Sequence, residues 1–331
     1  MKLHIAVDSG SNYRGFENVG IITGDLECEG LNCVGFSGNT VNYGSQDSKY
    51  SVGGSDITCS MVPLSICTEE CDFKDDETLD IAKMVDYFDN TKLPSHTACP
   101  SVAAWKDNFA GNKNVIAITL SGSLSGCYNA CRLAAEEYME ENSDCKVFAY
   151  DTKMIGPAEK LCTEFAARRF CAISSRYKKD SNIKDEYLNF YFDKLCDEID
   201  DYCSNHLKTL FCLETLNNLA NNGRIGKAVA AIAMTLKINI VGEFTKDGEL
   251  KDTDKCRGSR KSVETIYKNM KASGYKGGKV LIDHCFALKK AENLKSLVLN
   301  DFPKAEVRIG IMTGLCSFYA EKGGLVLTYE K

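Results

Sequence analysis

This sequence predicts a two-domain α/β protein. A mostly parallel sheet with helices on both faces comes first, then an α+β domain with a mostly antiparallel sheet. Two observations carry this. Short apolar runs at Leu3–Val7, Val115–Leu120 and Lys146–Tyr150 alternate with stretches of helical spacing, the rhythm of buried parallel strands. After about His206 the rhythm changes to shorter strands, with a hairpin turn at Lys246-Asp247-Gly248. With 331 residues the chain is long enough for two cores. The boundary is expected near residue 175, dividing 1–175 from 176–331.

Leu3–Val7 runs into Asp8-Ser9-Gly10, at a strand end where α/β sheets place ligands. Asn12–Met61 is rich in Gly, Ser, Asn and Asp and reads as an inserted loop and hairpin region, with strand-like pieces at Gly20–Thr23 and Asn32–Phe36. Met61–Ile66 resumes the sheet, Pro63 marking an edge or strand end. Asp76–Asn90 is an amphipathic helix, and Ser101 is the expected N-cap of a helix over Val102–Ala110. Glu159–Phe170 and Asn182–His206 are helical by period, the second with Leu188, Phe192, Leu195, Cys196, Ile199 and Cys203 on one stripe. Then come a strand at Thr209–Leu213, a short helix at Glu214–Asn221 with Asn222-Gly223 as C-cap, and a helix of small residues at Ile225–Leu236. Strands at Ile238–Phe244, Glu249–Cys256, Lys279–Cys285, Val307–Thr313 and Gly324–Tyr329, with helices over Ser259–Ala272 and from Leu288, complete the second unit.

Composition narrows the function. A net charge of −6 without a basic run argues against a general nucleic-acid binder. No run approaches the ~18 apolar residues of a membrane span, and the N-terminus lacks the apolar core of a signal peptide, so a cytoplasmic protein is expected. The 17 cysteines are scattered, with no Cys-x-x-Cys and no histidines at zinc intervals. They read as small buried hydrophobes, and no metal or cofactor is expected.

The chemistry concentrates at Val115–Tyr138. An apolar strand feeds Ser121-Gly122-Ser123-Leu124-Ser125-Gly126 into a helix starting near Cys127. The unpartnered first-turn N–H groups and the helix dipole make such a junction an anion seat. Two readings stand: a carboxylate or phosphate site, or an ordinary turn with Ser as N-cap.

Several pieces, taken in order, resemble the DegV family of bacterial fatty-acid-binding proteins. Asp8-Ser9 resembles its opening Asp-Ser, and Val62-Pro63-Leu64 its Val-Pro-Leu strand. Thr97, Pro100 and Ser101 fit its Thr-Ser-Gln-Pro-Ser motif, and Ser121 to Tyr128 its Ser-x-x-Leu-Ser-Gly-Thr-Tyr loop, with Cys127 in place of Thr. Leu213–Ile225 is similar to its Leu-Glu-x-Leu…Gly-Gly-Arg-Ile segment, Leu236–Asn239 to its next strand entry, and Arg257 to its Lys-x-Arg.

The resemblance implies a fatty acid in a tunnel between the domains, its carboxylate gripped by Thr97 and Ser121. Gly122, Ser123 and Ser125 belong to the same loop, and Asp8, Ser9, Arg224, Arg257 and His284 are secondary candidates. Ala228–Leu236 is either a tunnel wall or a helix packed on the second sheet. The family also touches the carboxylate with a His in an Ile-Gly-x-Val-Ile-Gly-x-His-x-Gly-Pro-Gly stretch. Here Cys316 follows Ile309–Leu315, and Ser317–Gly324 is rebuilt around Phe318 and Tyr319. A thiol is a weak donor, and His96 beside Thr97 has two readings: a substitute donor, or a surface residue of the loop.

The implied role is a non-catalytic carrier that presents the acyl chain to a partner such as a fatty-acid kinase, with transient contact at a membrane surface. Two alternatives remain. One is a serine hydrolase of a lipid-like ester using Ser121, Ser123 or Ser125, poorly supplied with a base among four histidines. The other is a carrier retuned to a different anionic lipid.

Overall fold

The computed structural model describes residues 2–13, 50–51, 57–177, 185–226 and 238–331. Most of the 12–61 region and the expected helix at Ile225–Leu236, from residue 227 on, lie outside these residues.

The N-terminal sheet contains β1 (Leu3–Asp8), β2 (Tyr50–Ser51), β3 (Ile57–Val62), β7 (Asn114–Thr119) and β8 (Lys146–Asp151), in the order β2-β3-β1-β7-β8. All neighbours are parallel except β2. β1 and β7 are buried along nearly their whole length, as a sheet covered on both faces requires. The chain steps from β1 to β3 on one side and later returns to β7 on the other. That leaves a crevice beyond the ends of β1 and β7, where the Ser9 and Ser121 loops lie.

The run Met61–Ile66 spans the end of one strand and the start of another, with Pro63 between them as a strand end. Pro63 follows β3, and β4 (Ser65–Thr68) joins a separate antiparallel sheet with β5 (Asp72–Lys74) and β6 (Ser95–Ala98). Helix α1 (Ile81–Asn90) is capped by Asp80, which accepts from Lys83 N, and α2 (Val102–Phe109) by Ser101, which accepts from Ala104 N. α2 and α3 (Cys127–Glu141) cover one face of the large sheet over a core that includes Trp105, Phe109 and Cys131.

The C-terminal sheet uses β9 (Leu207–Leu213), β10 (Asn239–Phe244), β11 (Leu250–Cys256), β12 (Val280–His284), β13 (Val307–Ile311) and β14 (Leu325–Glu330). Their order is β11-β10-β9-β14-β12-β13, antiparallel except for β12 with β13. Between β9 and β10 lies the short helix α6 (Asn217–Asn221), ended by Asn222 with Gly223 at φ 73° as the sequence predicts. Helices α7 (Ser259–Ala272) and α8 (Leu288–Asp301) cover the sheet's outer face.

Helix α4 (Pro157–Tyr177) packs on strands of both sheets. One continuous core joins Ile5 and Ile118 of the first sheet to Phe211 and Leu281 of the second. The boundary expected near 175 therefore falls inside a shared helix. α5 (Asp185–Asp201) follows and ends in a π-turn at Tyr202–His206. Its stripe residues Phe192, Leu195, Cys196 and Ile199 are buried, as is Cys203 in the turn.

The last helix, α9 (Gly314–Ala320), comes late in sequence but docks on the N-terminal loops. Asp75 accepts from Gly314 N at 2.7 Å and Leu315 N at 2.8 Å, replacing partners that a helix start lacks. Thr313 Oγ1 donates to the Ser9 carbonyl, and Asn12 Oδ1 accepts from Thr313 N. The rebuilt Ser317–Gly324 segment is thus a helix end and turn laid across the junction of the two sheets. Each cysteine among the described residues is a free thiol, and most are buried. No described helix is long and apolar enough to cross a membrane.

Candidate functional site

An apolar slot of about 660 Å³, counting its mouth, lies between the two sheets. Its enclosed part is only about 70 Å³, well under the roughly 300–1,000 Å³ of open ligand pockets, so the space is a narrow one. Leu64, Leu120, Leu124 and Ile155 line it from the first half of the chain; Phe211, Leu213, Phe244, Leu250 and Val326 from the second. Helix α9 adds Leu315, Cys316, Tyr319 and Ala320.

The polar groups of this lining gather where it meets a second, polar cleft. Leu124, Ser125, Arg224 and Leu250 border both spaces. Thr97 also lines the slot, and its Oγ1 lies 2.8 Å from the Tyr319 hydroxyl. The Arg224 guanidinium sits 6.0 Å from the Tyr319 ring centre, a cation–π distance. Its Nε donates to the Leu124 carbonyl at 3.1 Å and Nη1 to the Asn222 carbonyl at 2.5 Å. The Gly223 turn after α6 delivers this arginine to the slot. Burial raises the Tyr319 hydroxyl above its ordinary value, offset by the Thr97 bond and the Arg224 charge, so it is a neutral donor at neutral pH. Two hydroxyls and one fixed cation beside an apolar slot suit the anionic end of an amphiphile.

The expected residues divide. Thr97, Ser125, Arg224 and Cys316 line the slot. Ser121 does not: it is fully buried, and its Oγ donates to the Gly248 carbonyl at 2.8 Å. Ser123 Oγ donates to the Asp247 carbonyl at 2.5 Å. The two hydroxyls expected to meet a head group therefore hold the tip of the β10–β11 hairpin. Gly122 N donates to Asp151, and the α3 N-cap is Gly126, with Ser125 Oγ accepting from Cys127 N.

His96 corrects the sequence reading most simply. It shares β6 with Thr97, and successive side chains on a strand point to opposite faces. Thr97 therefore faces the slot while His96 is exposed outside its lining. Burial pushes the Cys316 thiol well above its ordinary value, and Sγ donates to the Gly10 carbonyl at 3.2 Å. It is part of the wall and carries no charge. His284 is buried and accepts from Ala287 N in a turn, and Arg257 is exposed past the end of β11; neither lines the slot. Ser9 Oγ accepts from Leu64 N.

Asp8 lies just behind the wall. Its carboxylate accepts from Gly10 N, Leu120 N and the Cys127 thiol, and burial still raises it to about 6. Beside it Glu159, fully buried, is raised well above the usual carboxylate range by burial and by the Asp8 charge. Glu159 Oε1 accepts from Gly156 N, while Oε2 has no donor. Burial and the neighbouring charge thus hold both carboxyl groups toward the protonated form.

The sequence reading passed over Tyr319, noting it only as part of the rebuilt segment. Its signal was an aromatic hydroxyl three residues past Cys316, one helical turn along the same face.

Residues 53–171 and 191–331 match the model of the DegV family of uncharacterised proteins. A DegV domain-containing protein of Streptococcus pneumoniae is 34% identical over 269 residues, 81% of this chain and 90% of that protein. One from Streptococcus gordonii is 32% identical over 83% of this chain and 92% of its own. The solved structure of the Streptococcus pneumoniae Fatty Acid Kinase (Fak) B3 protein loaded with linoleic acid is similar with a TM-score of 0.80 at 29% identity, covering 100% of this chain and 99% of that one. A DegV family protein from Eubacterium eligens loaded with heptadecanoic acid gives 0.79 at 26% identity, covering 99% of each chain.

Proposed function

This chain belongs to the DegV family, and on that premise we propose that it binds a long-chain fatty acid in the slot between its two sheets. The observation that carries this is the slot's polarity: an apolar channel that meets Thr97, Tyr319 and Arg224 at one place. Burying the acyl chain supplies most of the affinity, at about 0.8 kcal/mol per methylene. The head group supplies orientation. The free hydrogen of the bonded Thr97–Tyr319 pair and that of Ser125 are donated to the carboxylate, and Arg224 neutralises it. Tyr319 takes the donor role that the family's histidine fills elsewhere, while Cys316 at the matching place seals the wall.

The role is that of a carrier. Fatty acids are bound in the similar structures, one of them a fatty-acid-kinase B protein, which favours a kinase as the partner to which this chain presents its ligand. The polar cleft containing Gly122, Ser123 and Arg224 is where such a partner would meet the head group. A serine hydrolase is disfavoured by geometry. Ser121 and Ser123 give their protons to backbone carbonyls, and Ser125 accepts from Cys127 N. None is poised on a histidine, as a hydrolytic serine requires.

The test is direct. The natively purified protein is denatured, extracted into organic solvent and the extract analysed by mass spectrometry. A fatty acid near one per chain supports the carrier. A protein that yields none, takes none up, and hydrolyses a model ester contradicts it.

A further inference from the structure

One ring in the slot is held in an unusual way. Phe211 on β9 stands directly opposite Gly242 on β10 and opposite Val326 on β14. Opposed residues of antiparallel strands project to the same face. A Cβ at Gly242 would lie 2.2 Å from Phe211 Cζ and 2.4 Å from the Lys251 carbonyl oxygen. The ring therefore lies down over a gap in the sheet that only glycine leaves. Phe244, two residues along β10, closes edge-on at 6.2 Å and 89°. Both rings line the slot, and Phe211 is almost fully buried.

We propose that Phe211, seated over Gly242 and braced by Phe244, is the residue that sets which acyl chains the slot accepts. This rests on the fatty-acid reading above. Interiors are close-packed, so a ring fixed on three sides does not yield to a longer or more strongly bent chain. Lying flat, it leaves the slot open; shortening it adds room where the methylenes run. Phe211 has no polar side-chain atom to offer a carboxylate, so its effect belongs to the tail.

The experiment compares wild-type protein with Phe211→Leu and Phe211→Ala, using competition among saturated acids of 14 to 20 carbons and one cis-monounsaturated 18-carbon acid. The expected result is a preference moved toward longer or bent chains. The affinity ratio between acids differing by two carbons should change by about fifteen-fold, from roughly four-fold per buried methylene. Thr97 and Tyr319 substitutions should weaken all chains alike. Should either Phe211 variant fail to fold by circular dichroism, Phe244→Leu tests the same wall. A folded variant whose ratios stay within two-fold of wild type overturns the proposal. If the wild type itself binds no acid of the series, the fatty-acid reading fails instead.

Discussion

Replacing Glu159 by glutamine removes a proton site while keeping its hydrogen-bonding shape. In the native protein Oε1 accepts from Gly156 N at 3.1 Å, the buried Oε2 has no partner, and the Asp8 charge acts on the group. A glutamine keeps the acceptor and turns a permanent N–H toward Asp8, imitating the protonated acid at every pH. Both carboxyl groups are raised in the folded chain, so the protonated forms favour folding. That stabilisation is complete below the unfolded value near 4 and is lost as pH rises through the folded one. For Asp8, a rise from 3.8 to about 6 corresponds to about 3 kcal/mol lost by neutral pH. Glu159 is raised too, by burial and then by the Asp8 charge.

The variant should therefore match wild type only below the unfolded value near 4 and gain on it steadily from pH 5 toward pH 8. For a chain longer than about 250 residues each kcal/mol of gain raises the melting temperature by about 2 °C or less. Scanning calorimetry of both proteins from pH 5 to 8 measures it, and the difference between the two profiles removes groups they share. Parallel profiles would refute the protonated pair. So would a Glu159→Gln protein less stable than wild type by more than about 2 kcal/mol at pH 8, where the reasoning requires a gain over native.

Three further substitutions separate holding the ligand from holding the fold. Tyr319→Phe should weaken fatty-acid binding by about 0.5–1.5 kcal/mol with little change in melting temperature, read by calorimetric titration. Arg224→Gln should weaken it more, by about 1.5–3 kcal/mol, because bonds to charged groups are the stronger kind, and should add salt-insensitivity to what binding remains. Ser121→Ala should act on stability: the Gly248 carbonyl loses its donor, costing about 1–3 kcal/mol in denaturant unfolding. Its effect on affinity should be smaller than that of Tyr319→Phe, and the reverse order would return Ser121 to the head-group site.

The strands and helices were legible because burial writes itself into spacing. The run Val115–Leu120, the helix over Ser259–Ala272 and the Asn222-Gly223 cap were each readable from a few residues. Pro63 was a truthful signal: it ends one strand as expected, but nothing local says that β4 belongs to another sheet. The site was legible by residue type and illegible by direction. Ser121 and Ser125 look equivalent in sequence, yet the β10–β11 hairpin, over a hundred residues away, takes the hydroxyl of the first and leaves the second at the slot. Likewise only strand alternation separates Thr97 from His96. Tyr319 and Arg224 meet through long-range packing, which spacing does not encode.

The central claim concerns where the acid end of the ligand sits, and a bound carboxyl reports that itself. The ¹³C resonance of [1-¹³C]palmitate on the protein, followed from pH 8 downward, should keep its ionised position to below the ordinary carboxyl value of about 4.3, held there by Arg224 and the paired hydroxyls. A bound resonance that titrates at or above that value, or one unmoved by Arg224→Gln, would place the head group somewhere else.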